Sequence, residues 1–267
     1  MNPFPVLDPN RLDRTAHGHC ALAIMTKAPQ AGRVKTRLVP PLTPEEGAEL
    51  NKCFLRDTAA AICNVCSGGL RPPAAGLRLQ LGAQRAPLRC RGIAVYTPVG
   101  AESAYTDILP DGFSLLPQRG DKFGERLYFA VEDLFKCGFA SVCLIDSDSP
   151  TVPAENFAEA VEVLNTSEDR LVLGPSDDGG YYLIGVKKPH RHLFEQIDWS
   201  TERVLNQTIE HATERGLEIK LLPTGYDVDD QATLRRLCHE LLRQRVHDCV
   251  APKTRKFLAS MVTQKNL

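Results

Sequence analysis

The chain has 267 residues, 43% of them hydrophobic and 24% charged, with a formal net charge of −1. That fits one large α/β domain or two small ones, with enough apolar side chains for a sizeable core. Near-neutral charge leaves no global basic field for nucleic acid, and no apolar run approaches the roughly 20 residues of a membrane helix.

Residues 1–19 mix acids, prolines and a few arginines without an apolar block, so they read as a flexible tail rather than a signal peptide. Ala21-Leu22-Ala23-Ile24-Met25 is a continuous apolar run, a candidate first strand of a parallel sheet. The loop from Thr26 to Leu38 follows and carries Lys27, Arg33, Lys35 and Arg37, with Pro29 and Gly32 breaking regular structure. Thr43-Pro44-Glu45-Glu46 then starts a helix, with proline at the first position and acids in the first turn, running to about Cys66. Residues 67–91 are punctuated by Gly and Pro, carry only positive charges and read as a surface insertion, with one short strand in Leu77–Leu81. Gly92–Thr97 and Phe113–Pro117 are two more strands, and a helix spans about Gly124 to Lys136, ended by Gly138.

The run Ala140-Ser141-Val142-Cys143-Leu144-Ile145 is a buried strand that stops at Asp146-Ser147-Asp148-Ser149-Pro150. A helix from Pro153 to Leu164 comes next. Arg170–Pro175 and Tyr181–Val186 are strands joined by Ser176-Asp177-Asp178-Gly179-Gly180, which matches a hairpin turn and also presents Asp178 to a ligand. The only tryptophan, Trp199, precedes Ser200 and Thr201, either of which can cap a helix to about Arg215. A last strand, Glu218–Leu222, leads to Asp227-Val228-Asp229-Asp230 and to an amphipathic helix with Leu234, Leu237, Leu241 and Leu242 on one face. Strands alternating with helices predict an α/β/α sandwich with a mostly parallel, mixed sheet: one domain over 20–245, then a helix or tail over 246–267.

Nine cysteines, an odd number, are scattered along the chain, as free thiols are in the reducing cytoplasm. Cys63-Asn64-Val65-Cys66 is a lone C-x-x-C, open to packing at a helix end or to metal or redox work.

Asp146/Asp148, Asp177/Asp178 and Asp227/Asp229 each follow a strand, as the cationic loop does. Open α/β sheets bind ligands beyond the carboxyl ends of their strands. Carboxylates and cations meeting there suit a divalent ion bridging to nucleotide phosphates. Neither G-x-x-x-x-G-K-[ST] nor G-x-G-x-x-G is present, which argues against a Walker-type ATPase and a dinucleotide dehydrogenase.

Four pieces occur in order: Lys27-Ala-Pro-x-x-Gly32-x-Val-Lys35-Thr36-Arg37-Leu38, Ser147-Asp148-Ser-Pro150, Gly174-Pro-Ser-x-Asp178-Gly179-Gly180-Tyr181-Tyr-Leu-Ile-Gly185 and Trp199-Ser200-Thr201. Together they resemble the rSAM/selenodomain-associated, or arsenosugar-biosynthesis-type, glycosyltransferases of GT-A fold. The Lys27–Leu38 loop also resembles that of guanylyl- and cytidylyltransferases of the same fold. The resemblance implies the GT-A (nucleotide-diphospho-sugar transferase) fold, Mg²⁺ or Mn²⁺, a nucleotide or nucleotide-sugar donor and a small-molecule acceptor. It implies nucleotide contacts from Lys27, Gly32, Lys35, Thr36 and Arg37, with Lys35, Asp148 and Asp178 catalytic. It implies metal ligation by Asp148, with Asp146 and Asp229 as further ligands, although the family has Gly at position 146. Gly179, Gly180, Tyr181, Trp199, Ser200 and Thr201 would bind substrate. A nucleotidyltransferase releasing pyrophosphate and a non-catalytic nucleotide-binding module are the alternatives. Donor, acceptor and oligomeric state stay open.

Overall fold

A computed structural model describes residues 4–68, 88–243 and 250–265. Seven strands form one mixed sheet: β1 (Cys20–Lys27), β2 (Cys90–Thr97), β3 (Ser114–Pro117), β4 (Ser141–Ile145), β5 (Arg170–Pro175), β6 (Tyr181–Val186) and β7 (Glu218–Leu221). Their order is β3-β2-β1-β4-β6-β5-β7. All neighbours pair parallel except β6, which runs antiparallel between β4 and β5. The expected mostly parallel sheet is therefore present. The Ser176–Gly180 turn closes the β5–β6 hairpin, so it lies at the same sheet edge as the carboxyl ends of β1 and β4.

Six α-helices occur among the described residues: α1 (Pro44–Cys66), α2 (Phe123–Lys136), α3 (Ala154–Leu164), α4 (Val204–Glu214), α5 (Gln231–Arg243) and α6 (Pro252–Lys265), with α6 packed on α1 and α5 on α6. In α1 the Thr43 side chain accepts from the Glu46 N–H at 3.2 Å and the Glu46 carboxylate accepts from the Thr43 N–H at 2.7 Å. This reciprocal cap contributes about 1 kcal/mol.

Strand alternation sorts the core into two layers. In β1, Cys20, Leu22 and Ile24 face α1 and α3, while Ala21 and Ala23 face the α2 side. A third apolar cluster joins Leu38, Leu50 and Phe54 to Tyr226, Val228, Leu234 and Leu237. Removing any of these fully buried side chains down to Ala costs about 2–5 kcal/mol.

Several boundaries differ from the sequence reading. Residues from Phe4 onward are packed, not a free tail: Phe4, Leu7 and Ala16 are buried, and Leu7 N–H and Pro5 C=O bond Leu115 beside β3. Isolated apolar residues suffice there because β3 supplies partners for Pro5 and Leu7, and Phe139 pairs with His17 beside Ala16. β2 begins at Cys90, inside the expected insertion. The strand expected over Leu77–Leu81 lies outside the described residues. α4 starts at Val204, after Arg203, rather than at a Ser200 or Thr201 cap. Ser200 has φ +65°, and the Thr201 hydroxyl instead donates to Asp198 C=O at 2.7 Å. A Pro252–Lys265 helix supplies the expected C-terminal element, its N-terminus capped by Asp57, which accepts from the N–H groups of Lys253 and Thr254 at 3.0 and 2.8 Å. Among the described residues no helix is long and apolar enough to cross a membrane.

Candidate active site

Two adjoining cavities open at the carboxyl edge of the sheet. The smaller, about 260 Å³, is lined by Lys27, Arg33, Lys35, Thr36, Arg37, Asn51 and Ser147. The larger, about 580 Å³, has an acidic floor of Asp146, Asp178 and Asp227 and apolar walls that include Met25, Phe123, Leu127 and Trp199. Arg37, Asp148 and Asp229 line both, so they form the shared wall.

Apolar residues inside the polar motifs set this geometry. Tyr226 and Val228 alternate with Asp227 and Asp229 along an extended segment. The first pair is buried in the third core cluster, which turns both carboxylates to the cleft. Leu38 anchors the end of the cationic loop in the same cluster. The loop and the late acidic segment, almost 200 residues apart in sequence, therefore share one apolar foundation.

Lys35 is the link between them. Its backbone is left-handed, φ +50°, and its side chain is 3% exposed. Its ammonium reaches Asp148 Oδ1 at 2.7 Å, Asp229 Oδ1 at 3.1 Å and Val228 C=O at 2.7 Å. These three bonds use all three of its donors. Burial works against the charge, but Asp148 and Asp229 outweigh it and hold the ammonium above its ordinary pKa. The cation expected to meet phosphate directly thus sits between two carboxylates. Lys27, Arg33 and Arg37 have no ion-pair partner among the described residues and remain open to an anion.

Asp146 lies at the floor of the larger cavity. Ser149 Oγ donates to it at 2.7 Å. Burial, then the charges of Asp148 and Asp227, push its carboxyl up to about 8 against the opposing bond from Ser149. Asp227 is pushed up to about 6 by burial and by Asp178 and Asp229. The Asp177–Asp178 doublet divides: Asp177 pairs with Arg236 of α5, while Asp178 faces the cavity and accepts from the Gly180 N–H at 2.8 Å.

The expected substrate residues Gly180, Tyr181, Trp199, Ser200 and Thr201 line the larger cavity. Trp199 meets Phe123 edge-to-face, ring centroids 5.1 Å apart. Gly179 lines neither cavity. Its φ is +88°, and a Cβ there would stand 2.2 Å from the Glu202 backbone carbonyl oxygen. Its missing side chain admits a neighbouring chain segment rather than a ligand. Gly32, φ +69° and in open space, serves the turn.

Sequence reasoning named Asp227 within a cluster without giving it a role, and missed Asn51. Asn51 is 4% exposed, lines the smaller cavity, and its side-chain oxygen has no hydrogen-bond partner. Buried polar atoms are normally satisfied, so an orphan acceptor on a residue lining a cavity marks a place for a ligand's donor group. No local signal in the sequence marked Asn51, because its place beside the cationic loop depends on α1 packing on Lys35 at Gly47.

Among the described residues no three His, Cys, Asp or Glu side chains gather closely enough to hold an ion by themselves. Mg²⁺, however, usually takes one or two carboxylates and completes its shell with water and substrate phosphate. The donor set fits that pattern: hard carboxylate oxygens, with Asp146 raised by burial and by the charges of Asp148 and Asp227, next to a compartment lined by cations.

Sheet order and site position define the nucleotide-diphospho-sugar transferase, or GT-A, fold. The family described as "Uncharacterized protein conserved in bacteria (DUF2064)" matches residues 81–201. A crystal structure from Desulfovibrio desulfuricans G20, described as a nucleotide-diphospho-sugar transferase, superposes with a TM-score of 0.74 at 24% identity, covering 92% of this chain and 97% of that one. The 4-diphosphocytidyl-2C-methyl-D-erythritol synthase of Anaerococcus prevotii DSM 20548 gives a TM-score of 0.50 at 12% identity, covering 86% and 100%. No curated protein matches the chain.

Proposed function

We propose that the protein is a divalent-metal-dependent glycosyltransferase acting on a nucleoside-diphosphate sugar and a small-molecule acceptor. The observation that carries this reading is the shared wall of Arg37, Asp148 and Asp229 between a cationic compartment and an acidic one. A diphosphate in the smaller cavity meets Lys27, Arg33 and Arg37, and its sugar projects past the wall into the larger one. Asp148, with Asp146 or Asp229, would hold Mg²⁺ or Mn²⁺, which when bound offsets phosphate charge and stabilises the departing diphosphate. Lys35 positions the Asp148 and Asp229 carboxylates. Asp178 lies where it can orient the acceptor hydroxyl and take its proton. The larger cavity's volume lies in the usual range for small-molecule sites.

A nucleotidyltransferase joining an NTP to a phosphorylated molecule needs cations on the acceptor side too. Among the described residues lining the larger cavity, Arg37 is the one basic residue, against five aspartates. This charge distribution favours glycosyl transfer. The solved relative described as a nucleotide-diphospho-sugar transferase is in keeping with it.

The test is incubation with NDP-sugars and with NTPs, each with and without Mn²⁺, reading free NDP and pyrophosphate. Metal-dependent NDP release supports the reading. Pyrophosphate release from an NTP would replace it with nucleotidyl transfer, and nucleotide binding without any turnover would leave a binding module.

A further inference from the structure

Cys63 and Cys66 at the end of α1, Cys90 at the start of β2 and Cys20 at the start of β1 lie at the end of the molecule opposite the cleft. α1 begins beside Lys35, where a Cβ on Gly47 would stand 3.6 Å from the lysine Cβ. It then runs 23 residues to Cys66, about 35 Å away at 1.5 Å per residue. There the Cys90 thiol, on the first residue of β2, donates to the Cys66 sulfur at 2.9 Å. A disulfide brings two sulfurs to about 2.0 Å, so less than an ångström of approach separates this pair from a bond. Cys63 lies one turn earlier on α1 and is also half-buried. Cys20 and Cys143 sit 3.9 Å apart, both buried in the sheet.

We propose that Cys66 and Cys90 form a reversible disulfide when the protein meets a low-molecular-weight disulfide oxidant. The two thiols differ in a way that orders the steps. Cys66 is half-buried and reachable, whereas Cys90 is buried. The hydrogen bond to Cys66, together with burial, pushes the Cys90 thiol well above its ordinary value. The Cys66 thiolate attacks one sulfur of the oxidant, forms a mixed disulfide and expels one thiolate, which takes up a proton. Cys90 then loses its proton, its sulfur attacks the Cys66 sulfur, and the second thiolate leaves. The protein gives up two protons and two electrons, and the oxidant takes both up to become two thiols. Cys63 makes no hydrogen bond to the Cys90 sulfur, and Cys20 and Cys143 are closed to the oxidant. The bond would tie the last turn of α1 to the first residue of β2, across residues 67–89. It lies far from the cleft, so it protects and stiffens the fold without touching the site.

The experiment treats the full-length protein under native conditions with oxidised glutathione, quenches free thiols and maps peptides by mass spectrometry. The expected product is a dithiothreitol-sensitive peptide joining Cys66 to Cys90, with loss of two hydrogens. Tm should rise by roughly 5 °C, reversed on reduction. Cys66→Ser should abolish both effects and Cys63→Ser neither, with nucleotide binding unchanged in each. A stable glutathione adduct on Cys66, a link made through Cys63, or thiols that survive intact would each overturn the proposal. The wild-type peptide map decides the matter even if a variant folds poorly.

Discussion

The two cavities share a wall but are assembled in opposite ways. The smaller is largely one continuous loop, Lys27 to Arg37, helped by Asn51 from α1. The larger draws its aspartates from three separate stretches, around residues 146–148, 178 and 227–229. A continuous loop carries its chemistry in adjacent letters. An assembled cavity depends on the sheet order, on the β5–β6 hairpin and on buried neighbours such as Val228 that hold no charge at all.

Breaking the shared wall should have the largest effect. Asp148→Asn is expected to lower turnover by about 10³-fold, measured as NDP release from an NDP-sugar with Mn²⁺, because it removes the proposed metal-holding carboxylate from the wall shared by both cavities. Loss of less than tenfold would show that another carboxylate serves.

Gly179→Ala separates the two cavities instead. Its Cβ would meet the Glu202 backbone, and φ is +88°. We expect a loss of about 2–4 kcal/mol in urea unfolding. Any residual defect should fall on the acceptor side, with nucleotide affinity largely kept.

Lys35→Met probes the bridge. It leaves Asp148 and Asp229 facing each other without the ammonium. Those carboxylates are 33% and 46% exposed, so the cost is about 1–3 kcal/mol rather than that of a fully buried pair. Mn²⁺ should restore part of it. Asn51→Ala should cost little stability, because its oxygen has no partner to lose, yet weaken nucleotide binding severalfold.

The smallest effect is on pH dependence. Asp146 binds its proton more tightly folded, at about 8, than unfolded at an ordinary carboxyl value. Its contribution is therefore full below that ordinary value and lost as pH rises through about 8. Metal-free protein should lose a few degrees of Tm between pH 6 and 9. Asp146→Asn or added Mn²⁺ should flatten that slope.

Legibility in the sequence follows the same division. The cationic loop, α1 and the buried β4 strand were readable because apolar runs, a capping pair and a proline stop are local signals. Lys35 as a clamp was not readable, since it depends on Asp229 lying 3.1 Å away across 194 positions. Asp227 carried a partial signal: two apolar residues alternating with two acids mark an extended segment with one face buried. The packing of Phe4 and Leu7 carried almost none, because sparse apolar residues among prolines look the same with or without an edge strand to cover.

The most direct test of one ligand spanning both cavities is a double-mutant cycle. Binding of Mn²⁺–UDP and Mn²⁺–GDP is measured by calorimetry for wild type, Arg37→Ala, Asp148→Asn and the double variant. If one diphosphate touches both residues through the shared wall, the losses for the nucleotide that binds will be non-additive by about 1 kcal/mol or more. Strictly additive losses, or affinity indifferent to Asp148, would contradict the account.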